Sequence, residues 1–257
     1  MKLARILAVS LIGLTMSCAS SPTNDLPLEE QEAALDTPLL HAWGDYHWYK
    51  ASSSPLQLKL SRNLSPAWWS YLDEASRDWN VSSVLDTTVI QGTANPRRCQ
   101  PTLGRIEVCN STYGKNGWLG LASIWLSKGH IVQGIVQVND SYFNTARYNT
   151  VAYRRLVMCQ EVGHMFGIGH QDENQTNTNL GSCMDYSSNP AGPPSNEHPN
   201  TLDYELLELI YAHNHATVAA SSVNVLSETG QPHGHSDDIQ RIGRDEYIVT
   251  HILRADD

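Results

Sequence analysis

The chain has 257 residues, with 17 basic against 27 acidic side chains and a formal net charge of −10 when histidine is counted neutral. That length is enough for one domain with a substantial core. So large an excess of acid argues against nucleic acid or an anionic lipid surface as a partner.

The N-terminus carries Lys2 and Arg5, followed by an apolar run from Ile6 to Met16. The run is too short to span a bilayer and has the form of a signal peptide over residues 1–17. Leu14-Thr15-Met16-Ser17-Cys18 resembles a loose bacterial lipobox, so Cys18 is a candidate lipid anchor and the one expected link to a membrane. Ordinary cleavage near that point is the alternative. Either way the chain is expected to be exported, to the medium or the cell envelope. Removal of the segment leaves 15 basic residues against 27 acidic. Residues 18–40 are polar, with Pro22, Pro27 and Pro38, and read as a tether.

A single domain is expected over residues 41–215. Leu56-Gln57-Leu58-Lys59-Leu60 alternates as a half-buried strand does. Ser65-Pro66 then opens a helix, as N-cap and first-turn proline, that runs through Trp68, Trp69, Leu72, Ala75 and Trp79. Those aromatics at helical spacing read as core. Val84 to Ile90 and Arg105 to Val108 read as strands. Asn116-Gly117 marks a turn, and Leu119 to Leu126 and Ile131 to Val138 form two more strands around Lys128-Gly129.

Val151 to Gly167 reads as a helix with apolar residues on one face, and it carries Gln160-Glu161-Val162-Gly163-His164-Met165-Phe166-Gly167-Ile168-Gly169-His170. Positions four apart share a helix face, so residues 160 and 164 can converge on one ion while Glu161 is turned away from both. Gly167 lets the chain leave the helix through a left-handed conformation and bring His170 round. Downstream lies Ser182-Cys183-Met184-Asp185-Tyr186.

Together these segments resemble the metzincin zinc peptidases, closest in style to a bacterial matrixin-like group. The family pattern H-E-x-x-H-x-x-G-x-x-H and its methionine turn are matched everywhere except at the first ligand, which is Gln160. The resemblance implies an α+β fold with a twisted mixed sheet, an active-site helix, a Met-turn and a C-terminal helix. It implies Zn2+ held by Gln160, His164 and His170, with Met184 beneath the site. Glu161 would take a proton from the attacking water and pass it to the leaving amine. Tyr186 falls where related families carry a tyrosine that helps the reacting carbonyl oxygen. The strand over Leu119 to Leu126 would be the edge strand bordering the cleft, able to pair with an extended peptide.

A glutamine oxygen is a weaker zinc ligand than an imidazole nitrogen. Direct ligation by Gln160, replacement by another residue, and a metal-free site all remain open. His198, His213, His215, His233 and His235 follow the Met-turn, and His41 and His47 precede the first expected strand. Each is most simply a solvated surface histidine.

Setting Cys18 aside, four cysteines allow three pairings. Cys99–Cys109 would close a short loop, and Cys159–Cys183 would staple the motif to the Met-turn. Export favours oxidised pairs, although a thiolate ligand at Cys159 is the alternative. Residues 171–200 are loop-rich, and Leu202 to His213 forms an amphipathic helix with Leu206, Leu209 and Ile210. Residues 216–257 form a C-terminal extension with one strand, Glu246 to Leu253.

The expected function is that of an exported, monomeric zinc endopeptidase acting on a peptide or protein. The rivals are a non-catalytic metzincin-fold protein that binds peptide or cell-envelope material, and a metal-dependent hydrolase of other bonds such as those of peptidoglycan peptides.

Overall fold

Apolar residues alternate with polar ones along Leu56–Asn63, and this segment forms strand β2, the first long strand after the short β1 at His47–Trp48. The structure, a computed structural model, describes residues 41–212 and 238–255. The expected signal peptide, Cys18, the tether, and His213, His215, His233 and His235 lie outside the described residues. From β2 the chain enters helix α1, Pro66–Trp79, and returns as β3, Leu85–Gln91. The two strands are parallel, in register from Leu56↔Leu85 to Arg62↔Gln91, so a crossover connection between them is required and α1 supplies it.

β4 (Ile106–Ser111), β5 (Trp118–Ser127) and β6 (His130–Asn139) follow. A short helix α2 (Asp140–Phe143), the motif helix α3 (Val151–His164) and helix α4 (Thr201–Tyr211) come next. The chain closes with β7 (Asp238–Arg241) and β8 (Glu246–Arg254). The strands form one mixed sheet in the order β3-β2-β4-β6-β5-β8-β7, with β1 paired to β6 off that path. Neighbours among β3, β2, β4 and β6 run parallel, and β5, β8 and β7 continue the sheet antiparallel. The architecture is α+β. Its mixed sheet, motif helix, Met184 turn and following helix are the parts that the metzincin resemblance implies.

The core lies between the sheet and the two longer central helices. Trp68, Leu72, Ala75 and Trp79 of α1 are buried, as the helical spacing of the aromatics predicts, and Trp69 alone of that group is exposed. Ser65 stands at the N-cap but makes no capping bond. Its hydroxyl accepts instead from Asn110 Nδ2 at 3.1 Å, while Asn110 Oδ1 accepts from Ser65 N at 2.7 Å. The helix start is therefore tied to β4. In α3 every residue from Ala152 to His164 except Arg155 is buried, so this helix is enclosed all round where one apolar face was expected. Arg155 reaches out to Glu74 of α1 at 3.0 Å and to Glu197 at 2.9 Å.

Two expectations about the end of the chain need correcting. The extension carries two strands where one was expected, because β7, Asp-Ile-Gln-Arg, is exposed at every residue and so has no apolar alternation to betray it. More consequentially, β5 is not an edge. β8 pairs along its whole length, from Trp118↔Arg254 to Ser127↔Glu246. The strand expected to receive an extended peptide is covered by the chain's own C-terminal strand.

Candidate metal centre

Thr150 caps α3, its hydroxyl accepting from Tyr153 N at 3.2 Å. The helix ends at His164, and the next turn is built to be sharp. Gly167 has φ +86°, and a β-carbon there would lie 1.9 Å from the carbonyl oxygen of Tyr46. Both the conformation and the space demand glycine. The N-terminal segment braces this turn: Trp43 N donates to Gly167 O at 2.8 Å, and Gly169 N donates to His41 O at 2.6 Å. Carbonyls left over at the helix end are also satisfied, Met165 O by Trp48 Nε1 at 2.7 Å and Phe166 O by the Tyr211 hydroxyl at 2.9 Å.

The turn delivers His170 to His164. Their Nε2 atoms lie 3.0 Å apart. His164 Nδ1 donates to Ile168 O at 2.7 Å, and His170 Nδ1 donates to Glu173 Oε1 at 3.1 Å. With both Nδ1 atoms donating in these bonds, each ring in its neutral form presents a lone pair at Nε2. Two lone pairs facing each other repel unless something positive sits between them. This is the arrangement of zinc-binding histidines, in which the far nitrogen donates to a carbonyl or carboxylate and fixes the tautomer. Burial, and then the neighbouring His251 and His170, hold the His164 imidazolium form well below its ordinary pKa. Burial thus favours the neutral form of the ring, the form that can bind a cation.

A third imidazole completes the group. His251 of β8 has its ring centroid 4.3 Å from that of His164 and 4.4 Å from that of His170. One ring nitrogen from each of His164, His170 and His251 lies within 4.8 Å of the others. His251 is almost wholly buried, and burial followed by the charge of His170 pushes its pKa well down. Sequence reasoning missed this residue. The available signal was the alternation of Val249, His251 and Leu253 on one face of the last strand, which puts a histidine in a row of core residues. His198 and the two early histidines are elsewhere: His198 Nδ1 bonds Asp78 Oδ2 at 2.7 Å, His41 Nε2 lies 3.5 Å from Asp203, and the His47 ring meets His130.

Gln160 is fully buried on the turn of α3 preceding His164. Its Nε2 donates to Cys183 O at 3.0 Å, and its Oε1 has no hydrogen-bond partner among the described residues. Glu161 is also fully buried, and neither carboxylate oxygen has a hydrogen-bond partner among the described residues. Burial pushes its pKa well above the ordinary carboxylate range. Gly120 of β5 makes room for it, since a β-carbon at that position would come within 2.4 Å of Glu161 Oε1.

Beneath the helix, Met184 is fully buried. A β-carbon at Gly163 would meet Met184 Sδ at 2.7 Å and the Trp79 ring at the same distance. Gly163, immediately before His164, thus lets the methionine and the tryptophan lie against α3. Two devices fix the Met-turn in place. The Cys159–Cys183 disulfide bonds it to α3, and Cys99–Cys109 forms separately, which are the two pairings expected. In addition, Ser182 Oγ accepts from Met184 N at 2.9 Å and donates to Asp203 Oδ2 at 2.6 Å. Asp203 belongs to the capping box that starts α4 with Asn200. Tyr186 completes the cluster, its hydroxyl 3.2 Å from His251 Nε2 and its ring centroid 4.6 Å from that of His170.

No protein-family model matches the sequence, and no curated protein matches it. Solved structures to which the chain is similar include high choriolytic enzyme 1, a hatching-enzyme zinc protease from Oryzias latipes (medaka). The identity is 13%, over 65% of this chain and 94% of the other, with a TM-score of 0.36. Myroilysin is similar at 10% identity over 65% of this chain and 83% of its own, with the same TM-score of 0.36. Neither likeness assigns a role to any residue.

Proposed function

We propose that the chain is an exported zinc-dependent endopeptidase that cuts a peptide or protein substrate. The observation that supports this most is the 3.0 Å approach of the Nε2 atoms of His164 and His170 with both Nδ1 atoms engaged in hydrogen bonds. Two imidazoles so arranged fit, in their neutral forms, a nitrogen-binding cation such as zinc. Zinc held there would supply Lewis acidity to a water and to the scissile carbonyl.

The remaining chemistry belongs to the side chains. Glu161, whose carboxylate oxygens have no hydrogen-bond partner among the described residues, takes the proton of the attacking water and returns it to the leaving amine. The Tyr186 hydroxyl, beside the histidine rings, donates to the substrate's carbonyl oxygen. Gln160 offers an unpaired buried oxygen as a further donor to the cation.

One observation favours a second reading. β8 lies along β5 and Glu161 is enclosed, so a peptide cannot pair with β5 while the C-terminal strand is seated. A protein of this fold that binds peptide or envelope material without cutting it would tolerate such closure. Zinc per chain, by elemental analysis of the mature protein, together with hydrolysis of a denatured protein substrate, separates the readings. The peptidase predicts about one zinc, and activity lost in Glu161→Ala with zinc retained. Absence of zinc even after it is supplied would sink the enzyme.

A further inference from the structure

We propose that His251 is a metal ligand of this site, standing in from the C-terminal hairpin for the histidine that the motif lacks at position 160. The assignment rests on the zinc reading above.

Chemistry gives the first reason. Two histidines alone make an incomplete zinc site, since catalytic sites use three protein ligands and favour imidazole or thiolate over a neutral amide oxygen. Gln160 Nε2 donates to the carbonyl of Cys183, so only its neutral amide oxygen, the weaker donor to zinc, is left to assist the histidines. His251 offers the missing imidazole within 4.8 Å of the other two.

Strand geometry gives the second reason. β8 is held in one register on β5, with Ala122 opposite His251 and Gly120 opposite Leu253. Side chains alternate across a strand, so Val249, His251 and Leu253 share the inward face, and all three are buried. A slip of one residue would bring Thr250 or Ile252 inward and push the apolar pair out of the core. The register that buries Val249 and Leu253 is the register that aims His251 at the other rings. On the opposite face Thr250 bonds Ser123 at 2.8 Å, which holds the same alignment.

Polar cost gives the third reason. Three imidazoles face one another in one largely buried pocket, and polar groups taken out of water must be satisfied there. The Tyr186 hydroxyl lies 3.2 Å from His251 Nε2 and orients the ring. A shared cation serves all three rings at once.

The test uses the full mature chain loaded with Co2+ alone, read by the hyperfine-shifted proton resonances of coordinated imidazoles. The wild-type protein should show three histidine sets, Gln160→Ala should keep three, and His251→Asn should show two. Zn2+ affinity in His251→Asn should fall by more than the roughly 10–100-fold that loss of a second-sphere hydrogen bond costs. Two sets in wild type, or unchanged Zn2+ affinity in His251→Asn, would overturn the assignment while leaving a zinc site on α3. Failure of the wild-type protein to take either metal would overturn the zinc reading and the assignment together. If His251→Asn does not fold, the count of histidine sets in wild type still decides.

Discussion

The site is assembled from two regions that encode their side chains differently. In α3 and the turn after it, His164 and His170 are six residues apart and are brought together by one helix end and one left-handed glycine. In the β7–β8 hairpin, His251 reaches the same point through pairing with β5, a strand more than a hundred residues earlier in the chain. The first arrangement depends on spacing along a few residues. The second depends on the register of a long-range strand pair and on nothing local. A helix-borne site is therefore robust to what happens elsewhere in the sheet, and a strand-borne residue is only as well placed as its pairing.

Four variants press on that contrast. The largest effect is expected from Gly167→Ala, which combines a positive φ with a collision against Tyr46 O. Unfolding free energy should drop by more than about 4 kcal/mol, measured by chemical denaturation, as His170 swings away from His164. If the variant is as stable as wild type, the turn is not the constraint described. Replacing both Cys159 and Cys183 by alanine should cost about 3 kcal/mol and loosen the Met-turn relative to α3. Loss of protection at Met184 in hydrogen exchange would report it.

Leu253→Ala acts on the other region. It should cost about 2–3 kcal/mol through the emptied core site, and hydrogen exchange should rise along β8 while α3 stays protected. Equal loosening of both would mean that the two regions unfold as one unit. Ser65→Ala should cost only about 1 kcal/mol, the bond to Asn110, because no helix cap is lost. A larger loss, together with fraying of α1 in hydrogen exchange, would show that the hydroxyl caps the helix after all.

The same contrast explains what could be read from the residues alone. The helix and the turn at Gly167 follow from short spacings, the place of Met184 is what the metzincin resemblance implies, and the two disulfides are the favoured choice among the three pairings that four cysteines allow. The α1 aromatics and most strands follow from periodicity. His251 did not emerge because a histidine in an alternating strand carries no ligand signature until its partner strand is known. The covering of β5 was hidden for the same reason: whether a strand is an edge depends on what pairs with it. The missing Ser65 cap reflects a competition that local pattern cannot register, since Asn110 of a distant strand claims the hydroxyl.

The hairpin also decides how safely the sheet ends. Without it, the margin of the sheet would be β5, ten residues reading Trp-Leu-Gly-Leu-Ala-Ser-Ile-Trp-Leu-Ser, long, apolar and with open backbone groups. Such an edge recruits other chains into intermolecular sheets. With the hairpin in place, the margin is β7, four exposed residues that include Asp238 and Arg241. A short strand bearing charge makes a poor template for aggregation. Any event that strips the tail from this protein would therefore expose a sticky seam, and the trimmed chain should precipitate or seek a new strand to cover it.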